Sequence, residues 1–191
     1  MEKTTEIILS YERRYAAQLS TLIMDKPKLS SLMIFIPFLF IFFIQDLLKY
    51  KKARKEFSIN FLLSREKALK EALEILSTNK KADTASIAEK AGLSKKATGQ
   101  YAEFLNVLTT HYLCLLKGNG NDYEAMVRSA YNNNKKSFEG FLNSLTQTEL
   151  SLNKTLKQQM KKDQSGVSST IKKIEAGNRA LRKETTELIF G

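Results

Sequence analysis

Apolar positions along this chain follow two regimes. Over most of the sequence they recur every three or four residues, the spacing of amphipathic helices. Between Leu32 and Ile44 they are continuous, reading Leu32-Met33-Ile34-Phe35-Ile36-Pro37-Phe38-Leu39-Phe40-Ile41-Phe42-Phe43-Ile44. No side chain in that run is charged or able to hydrogen-bond. It is apolar on every face, unlike the half-wet stripe of a surface helix. The uncharged stretch runs from Leu29 to Gln45, 17 residues. As a helix it would measure ~25 Å, at the short end for a hydrocarbon core of ~30 Å. Pro37 lies in its middle and would kink such a helix.

The other segments predict helices throughout, so the fold class is all-α. Residues 4–24 carry Ile8, Tyr11, Tyr15, Leu19, Leu22 and Ile23 at helical spacing, with Glu12, Arg13 and Arg14 assigned to the other side. This helix either lies in a membrane interface or packs back on the later domain. From Glu56 to Leu76 an amphipathic helix is marked by Leu62, Leu69 and Leu76, flanked by Phe61, Ala68, Ala72 and Leu73. Asp83 or Thr84 caps a short helix that Gly92 terminates, and Ser94 caps the next, which runs to about Leu116. Residues 117–122 read as a turn, and Asp122 can cap a helix from Tyr123 to about Tyr131. After Asn132-Asn133-Asn134 a further helix carries Phe138, Phe141, Leu142 and Leu145. Thr146-Gln147-Thr148-Glu149 has capping-box spacing, which predicts a new helix start. Beyond it, Met160, Val167, Ile174, Leu181 and Leu188 fall seven apart, with Ile171, Gln164, Asn178 and Thr185 in the second column. That pattern fits a weak coiled coil or a long amphipathic helix folding back on its predecessors. The layout is therefore an N-terminal helix (1–28), a hydrophobic segment (29–48), a basic collar (49–55), a helical domain (56–148) and a long C-terminal helix (149–191).

Composition agrees with helix. Only 8 Gly and 2 Pro stand among 191 residues, and one cysteine, Cys114, leaves no internal disulfide. The net charge of +11 is uneven: residues 49–81 hold ten basic and four acidic groups, and residues 149–191 hold nine and five. Lys49, Lys51, Lys52, Arg54 and Lys55 directly follow the apolar run. An oily segment ending in such a collar predicts a membrane-inserting element, with the basic residues near anionic headgroups at roughly 1 kcal/mol each. The inserting side chains would be Leu32, Ile34, Phe35, Ile36, Pro37, Phe38, Phe40, Phe42, Phe43 and Ile44. A single span with a cytoplasmic C-terminus follows from the collar. Lys26 and Lys28 before the run keep open a kinked, half-inserted segment with both ends in the cytoplasm. A buried helix of a soluble core is the third reading. With nearly thirty residues before the run, several acidic, and no small-x-small site after it, a cleaved signal peptide is not expected.

The search for chemistry yields little. Residues 87–98 resemble the helix-turn-helix of DNA-binding regulators, with Ala88, Gly92, Leu93 and Ser94 at suitable positions. That resemblance implies phosphate contacts from Lys95 and Lys96 and a base contact from Gln100. Gly99 inside the would-be recognition helix departs from the pattern. His111 and Cys114 lie three apart on one helix without the further ligands that zinc requires. Neither a phosphate loop nor a carboxylate pair emerges, so no enzyme activity and no cofactor is expected.

Lys26-Pro27-Lys28-Leu29, the Phe-rich segment with Pro37, Arg54-Lys55-Glu56-Phe57, Arg128-Ser129-Ala130-Tyr131 and the closing Leu181-Arg182-Lys183 to Ile189-Phe190 carry a wider resemblance. The chain resembles a group of small uncharacterised bacterial proteins with a short N-terminal helix, one hydrophobic segment, a basic collar and an all-helical remainder. The resemblance implies no activity. The expectation is a structural or protein-interaction protein of the bacterial cytoplasmic membrane, its larger C-terminal part in the cytoplasm. Lipid is its expected partner, with a protein partner or self-association through 149–191. A membrane-tethered helix-turn-helix DNA binder is the alternative.

Overall fold

The computed structural model describes residues 1–23, 50–159 and 165–191. They form seven helices: α1 (Glu2–Ile23), α2 (Tyr50–Thr78), α3 (Thr84–Glu89), α4 (Lys95–Lys117), α5 (Tyr123–Ala130), α6 (Lys135–Gln159) and α7 (Ser165–Phe190). There is no strand among the described residues, so the fold is all-α. Among these residues no helix is long and apolar enough to cross a membrane. The apolar run from Leu32 to Ile44, expected to insert, and the collar residue Lys49 lie outside the described residues.

Local chemistry sets most helix ends. Asp83, Ser94 and Asp122 each accept from the backbone N–H three residues on, at Ser86, Ala97 and Ala125. These caps satisfy donors that a helix start leaves open. Gly92 takes φ 67° between α3 and α4, a left-handed turn that suits glycine.

Two expectations fail. No helix begins at Thr146-Gln147-Thr148-Glu149; α6 runs through it without interruption. The Thr146 and Thr148 hydroxyls donate to the carbonyls of Leu142 and Ser144, as interior threonines do. Consequently 149–191 is not one helix, since α6 reaches Gln159 and α7 starts at Ser165. The amphipathic face expected of α2 is largely the face that is buried, with its centre moved off the Leu62–Leu69–Leu76 column. Phe57, Phe61, Ser64, Arg65, Ala68, Leu69 and Ala72 are buried, whereas Leu62 and Leu76 are half-exposed.

Packing builds one continuous core. The centre is α4, whose Tyr101, Phe104, Leu105, Leu108, Tyr112 and Leu115 are buried against α2 and α6. Helix α6 runs antiparallel to α4, with Ser151 beside Gln100 and Phe141 beside His111. Helix α7 returns antiparallel to α6, with Arg182 beside Thr146 and Glu175 beside Asn153. Its apolar positions Ile171, Ile174 and Leu181 are buried in this body, and α7 packs on α1, α5 and α6. The heptad is therefore the inner face of a folded-back helix and leaves no free coiled-coil seam among the described residues; Leu188, its last member, is 69% exposed.

Candidate functional site

Helix α1 is the unexpected part of the core. It packs between α2 and α7, with further contacts to α5. Along α2 it runs antiparallel: Ala16 meets Ser58, and Ser20 and Thr21 meet Arg54. The guanidinium of Arg54 donates to both hydroxyls and ties the end of α1 to the start of α2. The two ends of segment 24–49 are thus held together on one body. Ile8, Ala16, Leu19 and Ile23 of α1 are buried almost completely. Each of the isoleucine and leucine side chains contributes roughly 1.5–3 kcal/mol when fully buried.

The polar half of the seam is more specific. Glu12 is 6% exposed and Arg65 of α2 is 3% exposed. They form an ion pair, Arg65 Nε to Glu12 Oε2, at 2.7 Å. Tyr112 of α4 donates its hydroxyl to the other oxygen, Oε1, at 2.7 Å. The Arg65 guanidinium lies over the Phe61 ring, 3.6 Å from its centroid. Three helices therefore converge on one carboxylate. Truncating one partner of such a pair costs ~3–5 kcal/mol, because the other charge stays buried and uncompensated.

A second pair is equally buried. Arg182 of α7 bonds Glu149 of α6, and both are nearly inaccessible. Tyr15 of α1 donates to Asn178 Oδ1 at 3.0 Å, and Asn178 donates on to Glu149. Burial pushes the Tyr15 hydroxyl up to about 12. Burial alone would pull Arg182 down, but Glu149 outweighs it and holds the guanidinium charge more firmly than usual. Nearby, the Tyr11 ring stacks on Tyr123 at 3.5 Å, and its hydroxyl bonds Thr185.

His111 completes the cluster. Its Nδ1 lies 2.7 Å from the Tyr131 hydroxyl and its Nε2 3.3 Å from that of Tyr123. Phe141 stacks on the imidazole at 4.0 Å. Desolvation lowers its pKa to about 3, so the ring is neutral throughout the ordinary pH range. Burial raises both tyrosines well above 10, so all three groups are uncharged at neutral pH and their protons are held in the hydrogen bonds that join them.

The cavity among Tyr11, Glu12, Tyr15, Arg65, His111 and Arg182 has a volume of about 30 Å³. A water needs ~10–15 Å³ by this measure, whereas metabolite pockets take ~300–1,000 Å³. The cavity suits one or two waters, not a substrate. Its charges neutralise one another, and its chemistry is that of a docking seam for α1.

The residues singled out from sequence are placed differently. Lys51 and Lys52 fall in the first turn of α2. Arg54 is half-buried and engaged with Ser20 and Thr21 rather than free for headgroups, whereas Lys55 is exposed. Lys95 and Lys96 are exposed at the start of α4. Gln100 is turned into the body and donates to Ser151 at 2.8 Å. Helix α3, the Gly92 turn and α4 do form a helical hairpin, but α4 has its long face covered by α2 and α6. His111 and Cys114 belong to the core edge, with no group of three or more potential metal ligands among the described residues.

Sequence reasoning missed Glu12, Arg65, Glu149 and Arg182. For Glu12 a signal existed: it stands four residues after Ile8 and three before Tyr15, inside the apolar stripe. No known protein family, curated protein or solved structure matches this chain.

Proposed function

We propose that the protein is a membrane-attached helical body with an architectural or protein-interaction role, held at the cytoplasmic membrane by residues 29–48. The observation that carries this reading is the run of thirteen consecutive apolar residues from Leu32 to Ile44, followed at once by a basic collar. Such a run is more stable among acyl chains than in water. Lys49, Lys51, Lys52 and Lys55 would lie against anionic headgroups. The described helices supply a continuous core of their own, which supports an inserting segment distinct from the body. The mutual pairing of the buried acids and bases supports an architectural role over a catalytic one.

Membrane fractionation with carbonate extraction tests it. The full chain is expected in the pellet, and Phe38→Lys with Phe42→Lys is expected to release it. A native chain that stays in the supernatant and never sediments with vesicles overturns the reading. The DNA-binding alternative has less support, because Gln100 faces Ser151 and Glu103 is exposed on the same helix as the lysines. Retarded duplex DNA that is released by Lys95→Glu with Lys96→Glu would restore it.

A further inference from the structure

We propose that α1 and the α2–α7 body lie on the same side of the membrane. This rests on the attachment proposed above and deepens it by fixing the topology. Two independent observations carry it.

The first is the docking of α1. Ser20 and Thr21 hold Arg54, Glu12 is ion-paired with Arg65, and Tyr15 reaches Asn178 near the far end of the chain. A single span would put α1 across the bilayer from every one of these partners. It would strand Arg65 and Tyr112 in the interior without the carboxylate they share.

The second is charge. Lys26 and Lys28 precede the apolar run, and Lys49, Lys51 and Lys52 follow it. Basic flanks are retained on the cytoplasmic side. A single span satisfies that preference at one end only, whereas a one-sided excursion satisfies it at both.

The test uses the full chain in bacterial membranes, with Cys114→Ser as background. Lys3→Cys and Lys183→Cys place single thiols at exposed positions of α1 and α7. A membrane-impermeant maleimide is applied to intact spheroplasts and to inside-out vesicles. Both thiols are expected to be protected in spheroplasts and labelled in inside-out vesicles. Docking is read independently by a disulfide between Leu22→Cys and Gly177→Cys, whose Cβ atoms would lie 3.8 Å apart once the Leu19 Cδ1 methyl, 2.8 Å from the new Cβ, gives way. That separation matches the ~3.8 Å typical of disulfides. Labelling of Lys3→Cys from outside while Lys183→Cys is protected, with no cross-link, overturns the topology and leaves the attachment standing. Recovery of the protein in the soluble fraction overturns the attachment and the topology with it.

Discussion

Replacing Glu12 by Gln removes the charge that Arg65 faces while nearly preserving shape. At 2.7 Å the two charges attract by roughly 6 kcal/mol for an effective dielectric constant of about 20. Desolvation of several kcal/mol per ion offsets most of this, so the intact pair contributes little net stability. The variant keeps the desolvation of Arg65 and loses its compensation. The expected loss is ~3–5 kcal/mol, which for a chain of this size lowers Tm by roughly 6–20 °C. Glu12→Leu combined with Arg65→Met removes both charges, and it is expected to recover most of that loss. Urea and thermal unfolding of the detergent-solubilised chain, followed by circular dichroism, measure all the variants. A Glu12→Gln loss under ~1 kcal/mol, or additive losses in the double variant, would refute the claim that α1 is docked through a buried charge pair.

Other outcomes follow from the same geometry. His111 has a folded pKa of about 3, below its usual 6.5, so only the unfolded chain takes up its proton on acidification. Its contribution is complete above pH 6.5 and falls below it, by roughly 2 kcal/mol at pH 5; His111→Gln should flatten the pH slope of urea stability by that amount. Gly120→Ala would place a Cβ 2.5 Å from the Met126 backbone nitrogen and 2.8 Å from the Ala125 carbonyl carbon, so a loss of ~1–3 kcal/mol is expected in the same unfolding assay. Asp122→Ala removes the cap on the Ala125 N–H, 2.7 Å away, and should cost ~1 kcal/mol. Arg54→Ala should speed amide exchange in the last turn of α1 and leave α4 unchanged; equal rates in both helices would show that the clamp is dispensable.

What could be read from the chain divides along physical lines. Caps act over three residues, so Asp83, Ser94, Asp122 and the Gly92 turn were visible in the sequence, and with them the order of α3, α4 and α5. Local signals misled where tertiary contacts decide. Thr146 to Glu149 has the spacing of a cap, yet Glu149 serves a buried arginine 33 residues later, and the helix simply continues. Glu12 reads as an outward charge because its partners lie 53 and 100 residues away, on α2 and α4. A buried ion pair leaves no periodic trace; each member looks like one more charge on an amphipathic surface. The heptad of α7 was legible as a pattern and ambiguous as a surface, since an inner face and a dimer seam follow similar periods.

Because Tyr15 binds Asn178 and Tyr11 binds Thr185, the first helix of the chain is completed by its last. A ribosome adding ~5–20 residues per second needs roughly 8–30 s to go from Ile23 to Asn178. Helix α2 is on hand for most of that interval, but the α7 half of the surface that receives α1 is missing throughout it. The apolar run after α1 has already left the exit tunnel by then. Closure of the body therefore waits for α7, and nascent chains stalled short of residue 178 should be more protease-sensitive at their N-terminus than chains that include α7.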